Sequence, residues 1–130
     1  MFLDTSGLLS VYEPKDRFHS SAINHFRVAT NLITTNYVIV ELAALMIARK
    51  VSQDKMLSYV RDIHADSGIE VVWISAEEHC AGLELLSRRL DKTYSLCDAV
   101  SFVVMKEFGA VDALTSDRHF EQEGFVRLLK

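Results

Sequence analysis

The chain has 130 residues, 49% of them hydrophobic and 25% charged, which is the balance of one globular domain rather than a disordered or membrane chain. A net charge of -4 excludes a protein that coats nucleic acid through a general positive excess, while leaving room for a local basic rim. The 2 cysteines lack Cys-x-x-Cys spacing, no apolar run nears the roughly 20 residues that span a bilayer, and no leader-like opening is present, so a reducing cytoplasm is expected.

In chain order, Met1–Asp4 reads as a short buried strand, with Asp4 placed to cap a helix beginning at Thr5. Asp16 can cap a second helix that carries Ala22, Ile23, Phe26 and Ala29 on one face. A strand at Leu32–Thr34 leads to Asn36 and the apolar helical stretch "YVIVELAALMIA". The run "IEVVWI", Ile69–Ile74, is the next strand. Ser75 and Glu78 have capping-box spacing for a helix reaching about Leu90. Ser95 opens another through "LCDAVSFVVMKEF", and Gly109 stands where a helix C′ residue belongs. Strands at Ala113–Thr115 and Phe125–Leu129 follow, separated by "RHFEQ", which Asp117 can cap. Short strands alternating with longer helices predict one α/β domain over residues 1–130, built on a mostly parallel sheet of about five strands.

Four acids sit in unusual company: Asp4 at a strand end, Glu41 within an apolar helix, Asp98 in "SLCDAVSF", and Asp117 after "ALTS". Each has a purely structural explanation. Asp4 and Asp117 can cap helices, Asp98 gains from a helix N-terminus, and Glu41 can face solvent. Jointly they suggest more, because strand ends and first helical turns of a parallel sheet open on one crevice. Were they to meet about 6 Å apart, each like-charged pair would cost roughly 3 kcal/mol and the set on the order of 15 kcal/mol at an effective dielectric near 20. That rivals a small domain's whole stability of about 5–15 kcal/mol, so a cation or bound protons must compensate. Oxygen ligands with hydroxyls nearby suit Mg²⁺ or Mn²⁺ better than zinc, for which no histidine or cysteine was expected in the cluster. Such ions point to phosphoryl transfer or phosphodiester hydrolysis.

The order of Asp4-Thr-Ser, Glu41 in "TTNYVIVEL", Asp98 in "SLCDAVSF" and Asp117 in "ALTSDRHFEQEGF" resembles the PIN-domain ribonucleases, most closely VapC-like toxins of toxin–antitoxin pairs. The resemblance spans nearly the whole chain, and its most specific part is "TSD" followed by His119, Phe120 and "GF". It implies a three-layer α/β/α fold and an endoribonuclease that cuts RNA with a metal-activated water. It assigns Asp4, Glu41, Asp98 and Asp117 to Mg²⁺ or Mn²⁺ and to catalysis, with Thr5, Ser6, Thr115 and Ser116 as supporting hydroxyls. It further implies a cognate antitoxin and a homodimer. Asp16, His19 and Ala22 fit the family's second helix in a structural role. Cys97 departs from the pattern, which commonly has a hydroxyl residue before the third acid. Arg17, Lys92 and Arg118 are candidates for an RNA-facing rim. Two rivals remain: a receiver-like Mg²⁺-binding regulatory domain, which should carry adjacent acids after its first strand and a late lysine, and a PIN fold kept only for binding.

Overall fold

The computed structural model describes residues 1–130. Five parallel strands, β1 (Phe2–Leu3), β2 (Leu32–Thr35), β3 (Ile69–Val72), β4 (Asp112–Leu114) and β5 (Val126–Arg127), form one sheet in the order β3-β2-β1-β4-β5. Seven helices complete the α/β/α arrangement: α1 (Thr5–Tyr12), α2 (His19–Val28), α3 (Asn36–Ala48), α4 (Gln53–Ala65), α5 (Ala76–Ser87), α6 (Leu96–Phe108) and α7 (Arg118–Gln122). From β1 the chain steps through β2 to β3 on one side, then crosses back to β4 and β5 on the other. The order therefore reverses at β1 and β4, and the crevice beyond the ends of those strands is the preferred ligand position of open parallel sheets.

The central position of β1 explains its composition. Phe2 and Leu3 have no exposed surface, as expected for a strand covered on both faces. Phe2 meets the Phe120 ring at 6.3 Å, and Phe120 meets Phe102 edge-on at 4.9 Å, so aromatic packing joins α7 and α6 to the first strand. Helix α1 lies against β4 with no room to spare. A Cβ added at Gly7 would stand 1.9 Å from the carbonyl oxygen of Leu114. A second close approach, at Gly82, would put a Cβ 2.7 Å from Val100 and joins α5 to α6.

Several boundaries differ from the sequence expectation for identifiable reasons. β3 stops at Val72 because the Ile74 N–H turns to the Asn36 side chain at 2.8 Å. Asn36 is thus the first residue of α3, and Thr35 caps it by accepting the Val38 N–H. Asp16 does not cap α2, which has no side-chain cap; its Oδ1 instead accepts the Phe18 N–H at 2.8 Å and the Ser10 hydroxyl at 3.0 Å. α5 ends at Ser87 rather than near Leu90. The strand expected at Phe125–Leu129 is only Val126–Arg127, and that at Ala113–Thr115 begins and ends one residue earlier. Helix α4 has no counterpart in the sequence expectation. It is polar on average, and its signals are the Ser52 cap and an apolar stripe of Met56, Tyr59, Val60 and Ile63, of which only Ile63 is fully buried. The expected capping box of Ser75 with Glu78 is formed, Ser95 opens α6 as expected and forms a second box with Asp98, and Gly109 takes the left-handed conformation (φ 69) after α6.

Candidate active site

Asp4 follows β1, Asp117 follows β4 and precedes α7, Asp98 lies in the first turn of α6, and Glu41 in the second turn of α3. All four line one cleft of about 380 Å³ at the point where strand order reverses. Asp4 and Asp98 are buried, Asp117 is half-buried and Glu41 is exposed. The hydroxyls are placed with them. Thr115 donates to Oδ2 of Asp4 at 2.7 Å and accepts the Asp117 N–H at 3.0 Å. Its proton being used on Asp4, Thr115 receives the Ser6 hydroxyl at 3.1 Å, and Ser6 in turn accepts the Ser116 N–H at 3.0 Å. Thr5 donates to Oε1 of Glu41 at 2.5 Å, tying α1 to α3. The Ser116 side chain makes no such bond; only its backbone takes part, its N–H to Ser6 and its carbonyl accepting from Arg127 at 3.1 Å.

His119 is a member of this group that sequence reasoning assigned no role. Its Nδ1 stands 2.9 Å from Oδ2 of Asp98 and 3.4 Å from Oδ1 of Asp117, and its Nε2 is 3.1 Å from the Thr93 hydroxyl. Because an ionised carboxylate only accepts, Nδ1 carries the proton, and the ring joins the Ser95 N–H on the same oxygen of Asp98. The only advance signal was its place in the "TSDRHF" segment. The expectation that histidine and cysteine are missing from the cluster is therefore corrected, and Cys97 is also adjacent. Burial, followed by the charges of Glu41, Asp4 and Asp98, pushes the Cys97 thiol up, so it stands there as a neutral thiol and not as a thiolate ligand.

Electrostatics single out Asp4. Burial pushes its carboxyl up to about 7, with Asp98 and Glu41 adding to the rise and hydrogen bonds from Thr115 and Thr5 opposing it. Such a group is only partly ionised at neutral pH unless positive charge lies nearby, yet no lysine or arginine pairs with any of the four acids. Each acid has one oxygen held by a donor, Thr115 for Asp4, Thr5 for Glu41, Ser95 and His119 for Asp98, and the His119 N–H for Asp117. The other oxygen of each has no side-chain donor. Asp98, Asp117 and His119 also offer ligand atoms within 4.8 Å of one another. A donor set this rich in carboxylate oxygen and short of positive charge fits a hard divalent cation.

Of the proposed rim, only Arg17 lines the cleft. Lys92 pairs with its neighbour Asp91 at 3.4 Å, and Arg118 lies outside. Arg49, which the sequence did not single out, lines the cleft beside Arg17.

Comparison with known proteins bears on this geometry. No curated protein matches the chain. A solved structure does: that of Mycobacterium tuberculosis VapC20, described as a Sarcin-Ricin loop cleaving toxin, superposes with a TM-score of 0.89 at 25% sequence identity, covering 99% of this chain and 98% of that one. The family model of the PIN domain matches residues 1–125, nearly the whole chain. The chain belongs to the PIN-domain family.

Proposed function

We propose that this protein is a Mg²⁺- or Mn²⁺-dependent endoribonuclease and the toxin of a type II toxin–antitoxin pair. The convergence of Asp4, Glu41, Asp98 and Asp117 on one cleft in a PIN-domain chain carries the reading. The ribonuclease class rests on the family and on likeness to VapC20, itself described as a Sarcin-Ricin loop cleaving toxin. Asp4, Glu41, Asp98 and Asp117 would hold the ion, which when bound supplies the positive charge that activates water and offsets charge building on the scissile phosphate. The chain's own residues prepare that site. Thr115 and Thr5 fix the rotamers of Asp4 and Glu41, and Ser95 and His119 hold Asp98 between a helix start and an imidazole. Pre-set carboxylates need no reordering when substrate arrives, which is how such a site lowers a barrier. Residues 1–130 act as one nuclease domain, in the cytoplasm and as a homodimer, with a cognate antitoxin as its restraining partner. No helix is long and apolar enough to cross a membrane.

The test is cleavage of RNA by purified protein with Mg²⁺ or Mn²⁺, with and without chelator. Asp4→Asn, which keeps shape and removes charge, should abolish metal-dependent cleavage while the protein remains folded. Cleavage by Asp4→Asn at the unsubstituted rate, or undiminished cleavage under chelation, would refute the mechanism. Expression without antitoxin should arrest growth, and the Asp4→Asn version should not; equal growth with both would remove the toxin reading while sparing the nuclease.

A further inference from the structure

The cleft has two ends. Glu41, Leu45 and Arg49 follow one another at four-residue intervals on α3, so all three share a face that lines it. At 1.5 Å rise per residue, Arg49 lies about 12 Å along the axis from Glu41. Helix α1 forms the other wall: Thr5 and Ser6 stand at the acidic end, and Leu9 and Ser10 one turn further along. The turn after α1 brings Arg17 to the same end as Leu9, its guanidinium 4.5 Å from the centre of the Phe18 ring. The result is a trough with the four site carboxylates at one end, Leu9, Leu45 and Phe18 along it, and Arg17 and Arg49 with Asp16 at the other.

Neither arginine is neutralised by a carboxylate. Arg17 and Arg49 are both exposed and enter no ion pair, although Asp16 and the four site acids line the same cleft. The nearest candidate partner, Asp16, is occupied by the Ser10 hydroxyl and the Phe18 N–H. That pairing fixes the turn that carries Arg17, while Arg49 ends α3 immediately before Lys50, which leaves the helix at φ 67. Both cations are thus attached to constrained backbone and face a cleft whose other charges are negative. In a chain of net charge -4, unpaired guanidinium groups at this place match an extended polyanion that enters the acidic end.

We propose that the trough between α1 and α3 is a channel for a single RNA strand, in which Arg17 and Arg49 grip phosphates flanking the one being cut. This rests on the nuclease reading above and adds to it a direction and a minimum length of substrate. The strand crosses the acids with its scissile phosphate and continues along α3 toward Arg49. A dinucleoside monophosphate, which has no flanking phosphate, meets only the acids. A longer strand also meets the arginines, which supply binding rather than chemistry.

The experiment compares Arg17→Ala and Arg49→Ala with Arg88→Ala, an equal charge change on an exposed residue beyond α5 and outside the cleft. Two probes are used: a mixed-sequence single-stranded RNA longer than the trough, and a dinucleoside monophosphate. Each cleft variant should raise KM for the long RNA about tenfold, as expected for loss of a charged hydrogen bond, with kcat near that of the unsubstituted protein. The dinucleoside should be cut as before. Binding of the long RNA without divalent metal should lose about 0.7 from its salt slope for each phosphate contact removed, and Arg→Lys should restore that slope. Behaviour identical to Arg88→Ala would overturn the channel, as would equal losses on both probes. Loss of antitoxin binding with unchanged RNA binding would assign the pair to a protein surface and likewise overturn it. Failure of the unsubstituted protein to cut either probe would strike the nuclease reading instead, and the salt slopes would still judge the channel.

Discussion

Two helices in this molecule begin with the same device, and only one of them builds a site. At the start of α5, Ser75 accepts the Glu78 N–H at 3.1 Å and Glu78 accepts the Ser75 N–H at 3.0 Å. At the start of α6, Ser95 and Asp98 repeat the exchange, both bonds at 3.0 Å. The Glu78 box stands at the surface, where the Ser75 N–H holds the carboxyl below its usual range. The Asp98 box opens on the reversal point of the sheet, and its Oδ2 accepts a second bond from His119. The local motif starts a helix in both places. What converts one cap into a candidate ligand is the arrival of Asp4, Asp117 and His119 from distant parts of the chain.

Substituting the two acids breaks the comparison most strongly. Asp98→Asn should reduce RNA cleavage by more than about a hundredfold and Glu78→Gln should leave it unchanged, as measured by initial rates at saturating metal. Similar rates for the two would dissolve the distinction.

The second effect is one of pH and belongs to the buried side. Asp4 is raised to about 7 in the folded chain, above an ordinary 3.8, so the folded protein holds a proton that the unfolded chain releases. Stability without metal is thus greatest below pH about 4 with respect to this group and falls as pH rises to about 7, by roughly 4 kcal/mol. Denaturant unfolding across that range should show the fall, and Mg²⁺ or Mn²⁺ should remove most of it by favouring the ionised form. In Asp4→Asn the metal-free fall should vanish.

A smaller change tests the imidazole. His119→Ala should lower cleavage about 10- to 100-fold, the usual loss when the group orienting a ligand is removed. His119→Asn, whose amide can reach Asp98, should recover part of it, and the metal concentration for half-maximal rate should rise in the alanine variant.

Smallest are the caps. Ser75→Ala and Ser95→Ala should each cost about 1 kcal/mol in unfolding free energy. Only Ser95→Ala should also disturb cleavage, since the lost hydroxyl holds the backbone N–H of Asp98, which lines the cleft, whereas Glu78 does not.

What the sequence made legible follows the same division between local and distant causes. The Ser75 capping box, the Ser95 helix start and the Gly109 helix end are set by a few neighbouring residues, and all were readable. Asp4, Glu41, Asp98 and Asp117 stood out because charge interrupts apolar runs, and parallel-sheet architecture gave a reason for them to meet. Helix α4 escaped notice although Met56, Tyr59, Val60 and Ile63 recur at helical spacing behind the Ser52 cap and pack on the core; the polar residues between them masked the stripe. His119 escaped because its partner Asp98 lies 21 residues away, and Arg49 because a basic residue ending a helix is common without function. Asp16 looked like a helix cap, yet its oxygen is taken by the Ser10 hydroxyl of α1 and by the Phe18 N–H just before α2.

The contact between Gly7 and the Leu114 carbonyl also limits how this cleft can change over generations. With no space for even a methyl group there, the wall that carries Thr5 and Ser6 cannot be moved outward by enlarging residue 7 without prising α1 from the sheet. Descendants that favour a bulkier strand must therefore remodel the opposite wall, and Leu45, half-buried between Glu41 and Arg49, is the position at which that adaptation is open.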